Sequence, residues 1–119
     1  MIPRRPDYLL ARANALALRA AERIDAEPER AVRIVQANLT RWLHTMDSRS
    51  RPLMEPWIAI AHDAQAMAAL LRESGPRADH LRSVAPLAGV LTQNERLEAL
   101  RAFDVQWAAD HDNTPEQGL

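Results

Sequence analysis

Four histidines, His44, His62, His80 and His111, are the side chains whose ordinary pKa suits proton transfer near neutrality. Their spacing matches no zinc pattern. The chain has no cysteine, which removes thiolate metal sites, cysteine nucleophiles and disulfides together. His62 and Asp63 adjoin as they do in metal-dependent phosphohydrolases, but those enzymes need further histidines from neighbouring helices, so the pair reads as a polar notch in a helix. Small helical ribonucleases that pair with nucleotidyltransferases carry an arginine shortly before a histidine. The residues five, six and seven places before His44 are Leu39, Asn38 and Ala37; before His62 they are Trp57, Pro56 and Glu55. Before His80 they are Gly75, Ser74 and Glu73, and before His111 they are Gln106, Val105 and Asp104, so the signature fails at all four. There is no glycine-rich phosphate loop, nucleophile elbow or His-Glu-x-x-His, and no serine has a base and an orienting carboxylate close by in sequence. The expectation is a protein without catalysis, metal or cofactor.

The elements that would position any site are helices. Among 119 residues there are 22 alanines and 15 leucines against ten valines and isoleucines and three glycines, and no stretch of four or more residues alternates apolar and polar with β-branched enrichment as a half-buried strand does. An all-α fold follows, a compact bundle of about five helices forming one domain over residues 1–111, with residues 112–119 a flexible, disordered tail. Pro6 and Asp7 open the first helix, Asp7 as its N-cap, and it runs to about Ala26. Pro28 suits a first helical position, and Val32, Val35, Leu39, Trp42, Leu43 and Met46 make one apolar stripe along a second helix. Asp47 to Pro52 reads as a loop. A third helix runs from Pro56 to about Glu73, stopped by Ser74-Gly75-Pro76 and apolar around most of its girth, so it is central or covered by another chain. A short helix spans Arg77 to Val84. Thr92 and Glu95 form a capping box that starts the last helix at Gln93, with Leu97, Leu100, Phe103 and Trp107 on its apolar edge.

No apolar run reaches the ~18 residues of a membrane span, and the first residues lack the apolar stretch of a secretion signal. A cytoplasmic protein with no membrane partner is expected. Fifteen arginines, with no lysine, against 16 acids leave a net charge of −1, too little cationic surplus for a nucleic-acid coat. The charge is uneven: residues 1–51 hold ten arginines and six acids, residues 52–119 five and ten. Such halves either pair with each other or steer a charged partner. A weak nucleic-acid reading remains. Gly75 could be the turn of a helix-turn-helix, with Arg77, His80 and Arg82 facing DNA and Arg49 and Arg51 as further phosphate contacts.

The segment Leu81-Arg82-Ser83-Val84-Ala85-Pro86-Leu87-Ala88-Gly89-Val90-Leu91-Thr92, followed by Glu95-Arg96, Leu100 and Phe103, resembles a pattern in short uncharacterised actinobacterial helical proteins. Asn38-Leu39-x-Arg41-Trp42 and Trp57 resemble their upstream half. The likeness covers about residues 30–107; the chain departs from it at Ala85, where serine is expected, and at Leu87, where phenylalanine is. The resemblance implies an antitoxin-like partner of a nucleotidyltransferase-type toxin.

From Ser83 to Asn94 no residue is charged. Two readings are open. The stretch is a connector under the last helix, with Leu87, Val90 and Leu91 in the core and Gly89 at positive φ, or it is an exposed apolar hook flanked by Arg82 and Arg96. The functional expectation is an antitoxin-like subunit that neutralises a toxin enzyme by occlusion. Arg82, Pro86, Leu87, Gly89, Val90, Arg96 and Trp57 are its expected partner contacts. A small helical DNA-binding regulator is the alternative, and a homo-oligomeric structural module the third reading.

Overall fold

The computed structural model describes residues 5–112, and side chains from 7 to 111. The described chain is all-helical, in six helices: α1 (Arg5–Ala26), α2 (Pro28–Thr45), α3 (Arg51–Ile60), α4 (Ala64–Arg72), α5 (Pro76–Ser83) and α6 (Gln93–Asp112). The expected tail lies outside the described residues beyond Asp112, which is the last residue of α6. No described helix is long and apolar enough to cross a membrane.

Local chemistry sets most boundaries as expected. Pro28 sits in the first turn of α2, and a single residue, Glu27, in a non-helical conformation, separates it from α1. The box at the start of α6 is reciprocal: Thr92 N–H donates to Glu95 Oε1 at 2.8 Å and Glu95 N–H to Thr92 Oγ1 at 3.1 Å. Asp7 stands inside the first turn of α1, where its charge suits the helix dipole, because the helix begins two residues before it.

The expected third helix is two. Pro52, and not Pro56, occupies the first turn of α3, so Pro56 lies inside the helix and the loop before it shrinks to a turn in which Ser50 N–H bonds Asp47 O and Oδ1. The apolar run then breaks at Ala61-His62-Asp63. Asp63 adopts an extended conformation and accepts the Ala66 N–H at 3.0 Å through Oδ1, which caps α4 afresh. The corner lets Met54, Trp57 and Ala61 on one segment and Met67, Ala68, Leu70 and Leu71 on the next all reach one interior.

That interior gathers Ala17, Ala20, Ala21 and Ile24 of α1, Ala31, Val35 and Leu39 of α2, and the buried residues of α3 and α4. α4 is central, as its apolar girth requires. α6 is different: none of its described side chains is fully buried, and it leans chiefly on α1. A satellite aromatic cluster joins the two helices, with Tyr8 5.5 Å from Phe103 and 5.4 Å from Trp107, and Tyr8 Oη donates to Asp104 at 2.7 Å. Arg23 Nε donates to Glu95 Oε2 at 2.9 Å, and Arg19 stands 3.8 Å from the same oxygen. The Thr92 backbone N–H, with the Arg23 charge adding to it, holds the Glu95 carboxyl below its ordinary value. Glu95 and the Arg72–Asp25 pair at 2.6 Å therefore join the cationic and anionic halves of the sequence.

Candidate functional site

Between α5 and α6, residues 84–92 are held against α2 by side chains. Asn38, buried on α2, donates from Nδ2 to Pro86 O and to Ala88 O, both at 2.9 Å, while its Oδ1 accepts from Arg41 Nη2 at 2.5 Å. Arg30, two turns earlier on the same helix, donates to Val90 O at 2.9 Å and to Gly89 O at 3.2 Å. Four of the five carbonyls from Pro86 to Val90 are thereby given donors, and the segment can turn its apolar side chains inward. Pro86 and Val90 are fully buried, Leu87 and Leu91 half-buried against the core, and Gly89 has the expected positive φ of 92°.

An exposed hook is thus corrected to a folded connector. Pro86 and Val90 are interior, unable to touch a partner from this arrangement. So is Trp57, wholly buried with its Nε1–H bonded to Leu81 O at 2.9 Å. The sequence left both readings open because the donors that pin the connector lie about fifty residues upstream; Asn38 beside an apolar stripe was the available signal.

What the connector does build is one wall of a groove. Ala85, Leu87, Ala88, Gly89 and Leu91 face Ala13, Leu16, Ala17 and Ala20 of α1 across a hollow of about 380 Å³, with Arg82 and Arg96 at its rim. Four of the expected contacts, Arg82, Leu87, Gly89 and Arg96, therefore border one site. The α1 wall runs on past the core. Leu9, one turn before Ala13, and the adjacent Leu10 are 45% and 46% exposed, and Leu18 is 48% exposed beside a second hollow near Arg82 and Gly75.

The two rim arginines differ. The Arg82 side chain is 7% exposed. Its guanidinium donates to Asn14 Oδ1 at 3.1 Å, to the carbonyls of Leu71 and Glu73 at the end of α4, and to Asp79. It is a tie between α1, α4 and α5, not a steering cation. Arg96 is exposed and has no ion-pair partner among the described residues.

The nucleic-acid candidates occupy three elements: Arg49 in the turn before α3, Arg51 in the first turn of α3, and Arg77 in the first turn of α5. Arg51 is paired with Glu55 at 3.2 Å. As a recognition helix α5 would need Arg82 outside, and Arg82 points in.

His44 stands in the last turn of α2 with Nδ1 2.8 Å from Thr40 O, His62 lies at the α3–α4 corner, His80 is exposed on α5, and His111 stacks on Trp107 at 3.8 Å near the end of α6. Among the described residues no group of three histidines or carboxylates could hold a metal ion. His62 and Asp63 border a shallow open dish with Glu29, Val32 and Arg33, where Asp63 is committed to capping α4.

Compared with protein-family models, with curated proteins and with solved structures, the chain matches none.

Proposed function

We propose that this chain is a non-catalytic, antitoxin-like protein-binding subunit that masks a partner enzyme, of nucleotidyltransferase type, by occlusion. The observation that carries the reading is the apolar groove between α1 and the connector, prolonged along α1 by Leu9 and Leu10. Contiguous apolar surface rimmed by polar groups marks a site of association. A second observation supports the family resemblance. Its upstream segment, through Asn38, which Arg41 in turn holds at Oδ1, bonds the connector of its downstream segment at Pro86 and Ala88. The residues that carry the likeness thus cooperate in building one wall of the groove.

Association through such a surface is driven by burial of apolar area, with few charges contributing. The test is to co-express the tagged chain with the enzyme encoded by the neighbouring reading frame. The expected result is a complex that survives from about 50 to 200 mM salt, a range over which arginine–phosphate binding to DNA falls steeply, together with loss of that enzyme's activity. Absence of any complex, or salt-sensitive binding to promoter DNA in its place, overturns the reading.

A further inference from the structure

The groove identifies the kind of segment that fills it. Its walls are apolar, and the charged residues bordering it are Arg82 and Arg96, with no carboxylate among its lining residues. Arg82 is spent on Asn14, Asp79 and the end of α4, so the open charge is that of Arg96. An apolar segment entering beside Arg96 strips water from that cation. A carboxylate on the entering segment offsets the loss, and a second cation worsens it.

The backbone of the walls decides between a strand and a helix. Strand addition needs a row of unpaired N–H and C=O groups. On one wall these groups belong to the interior of α1. On the other the carbonyls of Pro86, Ala88, Gly89 and Val90 are already taken by Asn38 and Arg30. Recognition must come from side chains. Leu9, Ala13, Leu16 and Ala20 lie on one face of α1 at helical spacing, a wall of about 16 Å or three turns.

We infer that the groove receives one amphipathic helix of the partner enzyme, about three turns long, with its apolar face between α1 and the connector and an Asp or Glu on the flank that meets Arg96. This rests on the masking role proposed above. The test uses the full chain in complex with the neighbouring-frame enzyme. A photo-cross-linking residue replaces Ala88, which is exposed within the groove, and mass spectrometry identifies the peptide captured. The expected product is a helical, acidic segment of the enzyme; Arg96→Glu weakens the complex about tenfold or more, and charge reversal of the captured carboxylate restores it. Capture of a strand, of a basic segment or of a second copy of this chain overturns the inference. So does a complex unchanged by Ala13→Asp and Arg96→Glu, both at exposed positions whose helical signal is checked by circular dichroism; that outcome leaves the masking role standing. If the unaltered chain forms no complex, the masking role itself fails and the inference with it.

Discussion

Asn38 Nδ2 stands 2.9 Å from the carbonyl oxygen of Pro86, across 48 residues of sequence. Because the same amide also serves Ala88, one buried side chain fixes the path of the connector and hence the shape of the groove. Replacing Asn38 by alanine leaves two carbonyls without their donor. We expect a loss of about 2–4 kcal/mol in urea unfolding and faster amide exchange at residues 87–91. Unchanged exchange there would mean that Arg30 alone holds the segment.

Arg82 is a structural tie, so its removal acts on folding. Arg82→Ala takes the donor away from the part-exposed Asp79 and from the last carbonyls of α4, and should cost about 1–3 kcal/mol, as leaving partly buried acceptors without their donor does. Arg77→Ala, at an exposed site, should change stability by less than about 0.5 kcal/mol. A DNA-reading α5 would instead leave both variants well folded and both defective in binding.

Acid should loosen α6 first. The Glu95 carboxyl titrates below its ordinary value of 4.5, mainly through the Thr92 N–H and then the Arg23 charge. A depressed folded-state value means that its contribution is complete above the unfolded value and is lost as pH falls through the folded one. Below about pH 4.5 the tryptophan fluorescence of the α1–α6 contact should change, through Trp107, before helical content collapses. In Glu95→Gln this early step should be absent, with α6 already looser at neutral pH.

Asp63 starts a helix in the middle of an apolar run. Asp63→Ala removes the acceptor of the Ala66 N–H and should destabilise the chain by about 1 kcal/mol. Asp63→Asn, which keeps the oxygen, should cost far less. Equal losses would show that packing and not capping makes the corner.

Where a boundary depends on chemistry within a few residues, the sequence was sufficient: Pro28 for α2, and Thr92 with Glu95 for α6. It misled where two residues could play one part. Pro52 and Pro56 both suit a first helical turn, and the core, which buries Met54 and Trp57, selected the earlier start. The corner at His62-Asp63 has neither glycine nor proline, so its only local sign was an aspartate able to cap. At the site, the uncharged stretch with its flanking arginines was visible, and Leu87, Gly89, Arg82 and Arg96 do border the groove. The opposite wall on α1 and the inward turn of Arg82 were not, because both depend on contacts between residues far apart in the chain.

The last helix contributes no fully buried side chain to the interior among its described residues. A gene shortened to end after Leu91 would therefore remove none of the fully buried side chains described, while laying bare the α1 flank of Tyr8, Arg19 and Arg23. That makes the carboxyl-terminal quarter a detachable module, the part of this architecture most readily exchanged or redesigned without rebuilding the rest.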